Sequence, residues 1–390
     1  MQLSSFAAIL DALPYFHSVA EEVREIVLAN LVMIGEIPAP TFGEGARIHF
    51  LQERFSEGGL QNCSTDEVGN GLAILPGEEG EQNILVVARA DTAFSTKVDH
   101  TLSVQPDRIV GPAVGDNSLG LAVLASLPIL FERLAIRLRS NLILMGAVHS
   151  LGRGDLEGIR FFLENSALPI QAGICVEGVQ LGHLSYASSG MLRGEISCTV
   201  PEDYDRTWFD TTGALLTINE VMNKITAIPL PKRPRTNIVL GSLEGGNSFD
   251  TIATHAVLRF EIRSESADMV DDTHRQIEEI VAEVALQSGA EVSLDILARR
   301  KPGGLTFGHP LVQSARRIML SLNVQPRILP STAELSAFID HQIPALTCGI
   351  TNGEHLGEMN ETIKITPICT GLAQLIGILL AIDGGYGYEH

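Results

Sequence analysis

The sequence predicts an α/β protein whose three-layer, mostly parallel sheet is interrupted by an inserted ferredoxin-like α+β domain. Two observations support this fold class. Helix and strand patterns alternate over the first 188 residues, which is typical of a parallel sheet covered by helices. From residue 189 the pattern changes to β-α-β-β-α-β, the order of a ferredoxin-like unit, and the first pattern resumes near residue 300.

The first domain begins with a helix that Pro38 and Pro40 end, because proline breaks a helix interior. Short apolar runs indicate buried strands, and the segment 119–131 is apolar nearly all round, as in a buried helix. The expected elements are helices 21–34 and 46–55, strands 72–75 and 84–88, helix 119–131, strand 141–147, helix 156–165 and strand 172–176.

The inserted domain is expected to contain strand 191–200, helix 213–226, strands 236–240 and 255–262, helix 267–288 and strand 290–297. Ser266 is placed as an N-cap of the long helix and Gly289 as its C-terminal stop. After a linker at 301–304, helices 311–323 and 333–341 and strand 344–349 return to the first pattern. We therefore expect one α/β domain, 1–188 with 300–390, interrupted by an inserted α+β domain, 189–299.

The amino-acid composition disfavours some classes of binding partner. The 390 residues include 47 acidic and 27 basic side chains, a net charge of −20, which disfavours binding to nucleic acid or to an anionic membrane surface. The five cysteines are scattered without a Cys-x-x-Cys pair, which favours reduced thiols. No secretory signal or long apolar run is evident, so we expect a cytoplasmic protein without a nucleic-acid or membrane partner.

Polar residues collect after the expected strands of the first domain, where open α/β sheets place their sites. Asp91, Asp116, His149, Glu177 and His355 occupy such positions. Carboxylates and imidazoles that converge from different strands suit zinc or manganese. The alternative for each residue alone is a helix cap, a surface loop or a satisfied core histidine.

Seven short motifs, in order, resemble those of the di-zinc exopeptidases and amidohydrolases of the aminoacylase, succinyl-diaminopimelate desuccinylase and tripeptidase T type. They lie at residues 36–44, 66–70, 115–120, 176–178, 245–250, 332–344 and 354–361. The resemblance implies two metal ions held by two histidines, a bridging aspartate, a glutamate and a further acidic residue. It also implies a catalytic glutamate that takes a proton from metal-bound water, and a homodimer formed through the inserted lid domain.

Three acidic positions of the family are kept in this sequence as Asp91, Asp116 and Glu177. Asp91 would orient the first metal-binding histidine, Asp116 would bridge the ions and Glu177 would be a metal ligand. Glu334 falls in the motif similar to the family's Gly-Gly-Ser-Asp-Ala segment and is a candidate binding residue.

The other positions of the family's metal site are replaced. Arg89 occupies the position of the first metal-binding histidine. His149 and Ser150 occupy the positions of the two consecutive glutamates, of which the first is the catalytic base and the second a metal ligand. Gly357 occupies the position of the last metal-binding histidine. His355, two residues earlier, could replace that histidine as a metal ligand only if the loop shifts. A guanidinium is permanently cationic and cannot bind a metal ion.

We hypothesise that Arg89 replaces the charge of the metal, with Asp91, Asp116 and Glu177 converging near it, because unpaired buried carboxylates are costly. The alternative is that Arg89 points to solvent beside Asp91. Arg263, at the end of strand 255–262, is a further candidate for ligand binding, against the alternative of a surface ion pair.

Two functions follow. The first is a family member that has lost standard di-zinc hydrolysis and persists as a binding, dimerising or regulatory protein without a metal. The second is an active hydrolase of small peptides or N-acyl amino acids, with one zinc or manganese ion on Asp116, Glu177 and His355 and with His149 as the base. Whether the chain is an enzyme is left open by the sequence.

Overall fold

The computed structural model describes residues 5–200 and 213–388. Its contacts divide the chain into two compact units, Met1–Ser188 with Gly304–His390, and Ser189–Gly303. The second unit extends a few residues beyond the expected boundary at 299 because its last strand, Glu291–Arg300, continues past the expected end at residue 297.

The bounds of the elements within the described residues are as follows. The helices are α1 Phe6–Gly35, α2 Gly45–Glu57, α3 Leu119–Leu134, α4 Glu157–Asn165, α5 Ala214–Thr226, α6 Ala267–Ser288, α7 Pro310–Ser321, α8 Leu335–Asp340 and α9 Ile368–Asp383. The strands are β1 Gln61–Thr65, β2 Gly71–Leu75, β3 Asn83–Arg89, β4 Ser103–Val104, β5 Arg108–Val110, β6 Asn141–Ala147, β7 Ile170–Val179, β8 His183–Ser185, β9 Ala187–Ser188, β10 Gly190–Thr199, β11 Thr236–Gly245, β12 His255–Ser264, β13 Glu291–Arg300, β14 Gly303–Gly304, β15 Arg327–Ile328, β16 Ala345–Thr351, β17 Gly353–Glu354 and β18 Thr362–Lys364.

The first unit is built on an eight-stranded sheet in the order β1-β2-β6-β3-β7-β16-β8-β15. Its central strands β6, β3, β7 and β16 are parallel, so their carboxyl ends meet at one edge. The pairs β1–β2, β2–β6 and β16–β8 are antiparallel. The expected mostly parallel α/β sheet is confirmed, with antiparallel strands toward its margins.

Alternating side chains of the buried strands build two separate cores, one on each face of this sheet. Ile84 and Val86 of β3 join the larger core with helices α1, α2, α3, α7 and α9. Leu85 and Val87 join the smaller core with α4 and α8. Helices on both faces of one sheet make the three layers that the sequence predicts.

Two helices differ from the expected pattern. Helix α1 begins at Phe6 rather than residue 21 and continues through Pro14, with the Ser5 hydroxyl accepting a hydrogen bond from the Ala8 amide at 3.2 Å. Helix α9 was not expected, because Ile368–Asp383 is apolar nearly all round and shows no amphipathic period. The two helices pack together in the larger core.

Within the described residues, one helical run, Val114–Leu134, is long and apolar enough to cross a membrane. However, 89% of its most apolar 18-residue window is buried inside the protein. It is therefore the core helix of the first unit, which explains why α3 is apolar on all sides.

The second unit is a four-stranded antiparallel sheet in the order β11-β12-β10-β13, covered on one face by α5 and α6. Ile196, Leu258, Val221 and Ile277 lie in its core. The strand order and the order along the chain confirm the ferredoxin-like prediction. Helix α6 has the expected bounds and ends at Gly289 with φ +67°, a left-handed conformation that glycine adopts without strain.

Gly173 tests the packing of the smaller core. A methyl group on this β7 residue would overlap the ring of Phe338 on α8. We expect Gly173→Ala to lower the free energy of unfolding by about 1–3 kcal/mol through overpacking, and Phe338→Leu in the same chain to recover part of the loss. Urea unfolding followed by circular dichroism measures both.

The matched control is Gly45→Ala, because a methyl group there would have no neighbour within 4 Å. It should leave the unfolding curve unchanged or slightly stabilised. Equal stability of Gly173→Ala and wild type would contradict the packing between β7 and α8.

Candidate functional site

The candidate site lies where the parallel strands β6, β3 and β7 end. Arg89 closes β3 and Asp91 follows it, His149 and Ser150 follow β6, and Glu177 lies near the end of β7. Parallel strands bring these residues to one edge of the sheet, as the sequence predicts for an open α/β fold.

Asp91 is fully buried and ties two loops together. Its Oδ2 accepts hydrogen bonds from the Thr41 hydroxyl at 2.8 Å and from the backbone amides of Ser150 and Leu151 at 3.0 and 2.8 Å. The charge of Asp91 is therefore held by neutral donors, and the loop after β6 is fixed to the loop after β3.

Arg89 forms an ion pair with Asp116 through Nη2 and Oδ1. The Arg89 side chain is 10% exposed, whereas the Asp116 side chain is 45% exposed. The pair therefore joins a buried cation to a carboxylate that reaches solvent. Arg89 and Asp116 are thus brought together, as the charge-replacement hypothesis requires.

The electrostatic surroundings of Arg89 are strongly acidic. Burial by itself lowers the pKa of Arg89, but the carboxylates of Asp116, Glu334, Asp91 and Glu177 outweigh it and hold the pKa above its ordinary value. Four negative groups therefore act on one guanidinium, although within the described residues only Asp116 is within ion-pair distance of it.

Glu334 is buried at the N-terminus of α8. Burial raises its pKa, while Arg89 and the Ser150 hydroxyl lower it by a smaller amount. Within the described residues its Oε1 has no hydrogen-bond partner, and the same holds for Asp91 Oδ1 and Arg89 Nε. The cluster thus has buried polar atoms left for further contacts, which is common at functional sites.

Asp116 lies in an irregular turn, Val114–Ser118, that leads into α3. The Oε1 of Glu361 accepts the amides of Gly115 and Asp116, each at 2.8 Å. The side chain of Asn117 donates to the Val176 carbonyl and accepts from the Gly178 amide, both at 2.8 Å. These contacts fix the turn to β7 and so fix the carboxylate that Arg89 binds.

Glu177 is paired with a histidine that the sequence pattern did not reveal. The Nδ1 of His183 lies 3.2 Å from Glu177 Oε2, and its Nε2 lies 2.8 Å from the Ser185 hydroxyl. Strand β8, which carries His183, has only three residues, and so short a strand gives no clear periodic signal.

His149 is surrounded by acidic groups. Its Nδ1 lies 2.8 Å from Glu157 Oε2, its Nε2 lies 3.7 Å from Glu44 Oε2, and its ring packs against Phe42 at 4.6 Å between centroids. Both ring nitrogens of His149 therefore face carboxylates.

His355 and Gly357 lie in the loop before β18. The side chain of His355 is 52% exposed, and its Nδ1 lies 3.6 Å from Glu358 Oε2. The Gly357 amide donates to Glu361 Oε2 at 3.2 Å. His355 and Glu358 thus form a surface contact within this loop. The role of His355 as a metal ligand stays a prediction.

Arg263 lies in the second unit, on the sheet face opposite the helices. It forms an ion pair with Glu261, which also pairs with Arg193. Burial by itself raises the pKa of Glu261, but the two arginines outweigh it and hold the pKa below its usual range. Arg263 thus makes a surface ion pair, and its contact with a ligand stays a prediction.

Arg47 of α2 is a second buried arginine that the sequence analysis missed. Its guanidinium donates to the carbonyls of Ile37 and Ala90 at 2.7 and 3.2 Å. Burial lowers its pKa to about 10. Because Ala90 separates Arg89 from Asp91, these contacts hold the backbone that presents both residues.

Within residues 5–200 and 213–388, no three histidine, cysteine, aspartate or glutamate side chains come together as a set of metal ligands. A metal ion at Asp116 would share that carboxylate with the guanidinium of Arg89.

Comparison with known proteins shows which fold this chain shares. Residues 210–288 match the family model of the peptidase dimerisation domain. The structures of M20-family metallopeptidases align with nearly the whole chain. The resemblance to the di-zinc exopeptidases is confirmed. The match covers both the α/β unit and the inserted unit of this peptidase fold.

Three solved structures illustrate the likeness. The di-peptidase Dug1p of Saccharomyces cerevisiae has a TM-score of 0.80 at 11% identity, covering 95% of this chain and 98% of its own. Human carnosine dipeptidase 1 has a TM-score of 0.74 at 10% identity, covering 95% and 99%. The Bacillus subtilis YXEP protein, a dinuclear metal binding peptidase, has a TM-score of 0.64 at 12% identity, covering 93% and 99%. No curated protein matches the sequence.

Replacing Arg89 tests the charge balance of this peptidase-fold site. We expect Arg89→Met to lower the free energy of unfolding by about 3 kcal/mol, because it leaves buried carboxylates without their cation. The control is Arg54→Met, which removes a surface pair with Glu57 and should cost at most about 1 kcal/mol. Equal losses in the two variants would contradict the role of Arg89.

Glu361 predicts a specific pH dependence of stability. Burial raises its pKa to about 7, against the opposing effect of the amides that it accepts. The folded protein therefore keeps a proton at Glu361 that the unfolded chain releases above a pKa of about 4.3. The stability from this group is present below that value and is lost as the pH rises through about 7.

Glu361→Gln removes this titration. The difference in unfolding free energy between the variant and wild type should change by about 3 kcal/mol between pH 5 and 8, in favour of the variant at the higher pH. Urea unfolding at several pH values measures it, with the exposed Glu358→Gln as the control. If the unfolding free energies of Glu361→Gln and wild type changed with pH in parallel, the raised pKa of Glu361 would be contradicted.

Proposed function

We propose that this protein is a cytoplasmic, homodimeric binding protein of the peptidase fold that does not carry out di-zinc hydrolysis. Its ligand would be a small peptide or an N-acyl amino acid. The observation that carries the proposal is the ion pair of Arg89 with Asp116, which puts a permanent protein cation on the carboxylate expected to bridge two metal ions.

The residues of this chain do not fit a di-zinc centre. Structural and catalytic zinc ions each take three or four protein ligands, and the described residues supply no cluster of three. Ser150 stands where the family has a ligand carboxylate, and its amide instead donates to Asp91. No step of hydrolysis is therefore derived through a metal pair.

A small peptide or N-acyl amino acid is proposed as the ligand because of the fold and because the Asp116 side chain is exposed. Two of the similar structures are named as dipeptidases, which act on small ligands with a peptide bond. Asp116 is half exposed beside a buried guanidinium, so a carboxylate with a cation directly behind it reaches the surface there. A small molecule with an amide or carboxylate could use these groups without any chemistry.

The second candidate is a hydrolase with one zinc or manganese ion on Asp116, Glu177 and His355, and with His149 as the base. The exposure of Asp116 favours it. The contacts of His149 with two glutamates oppose it, because both ring nitrogens of the proposed base already face carboxylates.

Dimerisation is proposed for the second unit. Residues 210–288 match a peptidase dimerisation domain, and the sheet of this unit has β11 and β13 at its two edges. An edge strand has unpaired backbone groups that a second copy can satisfy. The cytoplasmic location is supported by five free cysteines, which suit a reducing compartment.

Native mass spectrometry tests metal and assembly in one experiment. The protein is saturated with zinc or manganese, exchanged into volatile buffer and weighed. We expect a species of twice the 42.0 kDa chain mass without a stoichiometric ion. One ion per chain that is lost in Asp116→Asn, but kept in the exposed control Asp99→Asn, would overturn the proposal in favour of the hydrolase.

The ligand is tested with a panel of dipeptides and N-acetyl amino acids. At least one should raise the melting temperature of wild type but not of Arg89→Met, because a ligand that binds only the folded state stabilises it. Proton NMR of the same mixtures should show no hydrolysis. Turnover that depends on added zinc would contradict the proposal.

A further inference from the structure

A cavity of about 500 Å³ lies in the first unit, at the edge of the sheet opposite the candidate site. Leu75, the last residue of β2, lines it and is paired with Leu142 at the start of β6. The candidate site lies where β6 ends, so the cavity and that site are at opposite ends of the same strands. Cavities of about 300–1,000 Å³ are typical of small-molecule sites.

The cavity forms where helices α2 and α3 end beside each other. Each end is turned by a residue in the left-handed conformation, Gly59 with φ +72° after α2 and Ala135 with φ +50° after α3. A methyl group on Gly58 would lie 3.0 Å from the side chain of Pro128 in α3, so the two ends are in close contact. The partially negative ends of two helices therefore border the cavity, which favours a positively charged group there.

The inner wall of the cavity is apolar. Phe131, Ile136 and Leu138 line it and are 3%, 5% and 5% exposed, and Leu75 packs against the same core. Because these side chains belong to the larger core of the first unit, the wall is rigid. An apolar group of a ligand is stabilised against it, since contact removes both surfaces from water.

Charged side chains of both signs lie at the rim. Glu78 is on the loop after β2, Glu132 is in the last turn of α3, and Arg137 is on the loop after α3. All three are exposed, and within the described residues none of their side chains forms an ion pair or a hydrogen bond. The Glu78 amide donates to the Leu138 carbonyl at 2.9 Å, which fixes this part of the rim to the wall.

These features together indicate the chemistry of a ligand. An ammonium group suits the two carboxylates and the two helix ends, and a carboxylate suits the planar fork of Arg137. An apolar side chain suits the inner wall. A free α-amino acid with an apolar side chain carries these three groups on one carbon atom.

We propose that this cavity binds a free apolar amino acid such as leucine or phenylalanine. The site goes beyond the proposed function and does not rest on it, because neither Arg89 nor any of the carboxylates around it lines the cavity. A simple amine would leave Arg137 without a partner, and a fatty acid would leave Glu78 and Glu132 without one.

Equilibrium dialysis of the full chain against radiolabelled leucine or phenylalanine tests the site. We expect saturable binding of one molecule per chain. N-acetyl-leucine lacks the ammonium group and leucinamide lacks the carboxylate, so each should compete at least about tenfold less well than leucine. No saturable binding of either amino acid, or equal competition by N-acetyl-leucine or leucinamide, would overturn the inference.

Variants of the rim assign the binding to this cavity. Arg137→Met should weaken it about tenfold, because the ligand carboxylate loses a charge-assisted partner. The matched control is Arg133→Met, which removes an exposed arginine of α3 that does not line the cavity and should leave the affinity unchanged.

Equal affinities of Arg137→Met and Arg133→Met would overturn the assignment. So would binding that is lost in Arg89→Met but kept in Arg137→Met, since the amino acid would then occupy the candidate site. The competition by N-acetyl-leucine and leucinamide needs no variant, so it tests the recognition of both charged groups even if Arg137→Met does not fold.

Discussion

The structure of the site depends on balancing negative charge at the carboxyl ends of β3 and β7. Asp91, Asp116, Glu177 and Glu334 act together on one guanidinium, and carboxylates removed from water are costly unless they are paired or hydrogen-bonded. In a dinuclear peptidase that balance comes from metal ions. Here the guanidinium of Arg89 is paired with Asp116 and supplies a permanent positive charge.

The charge of each of the other buried carboxylates is compensated in a different way. Backbone amides and a threonine hydroxyl hold Asp91, and His183 faces Glu177. Burial raises the pKa of Glu334 and so disfavours its negative charge. Glu361 fixes the turn before α3 through two amides and so sets where Asp116 meets Arg89. The proposed function follows from these contacts, because each carboxylate of the site already has a partner among protein groups or a raised pKa.

The sequence predicted the parts of this picture that leave a periodic or ordered signal. The parallel sheet, the ferredoxin-like unit and the bounds of α6 follow from hydrophobic period and from caps. Helix α9 was missed: like α3 it is buried on all sides and shows no amphipathic period, so only its apolar run could have indicated it. His183 and Arg47 were missed because their roles depend on strand order and tertiary burial, and neither stands at a position that the family motifs mark.

The most direct test of the central claim is an anomalous-difference map at the zinc edge from crystals soaked in zinc. The account predicts no peak between Asp116 and Glu177, with the guanidinium of Arg89 bonded to Asp116. A peak about 2.0–2.2 Å from both carboxylates, with Arg89 displaced from Asp116, would contradict it.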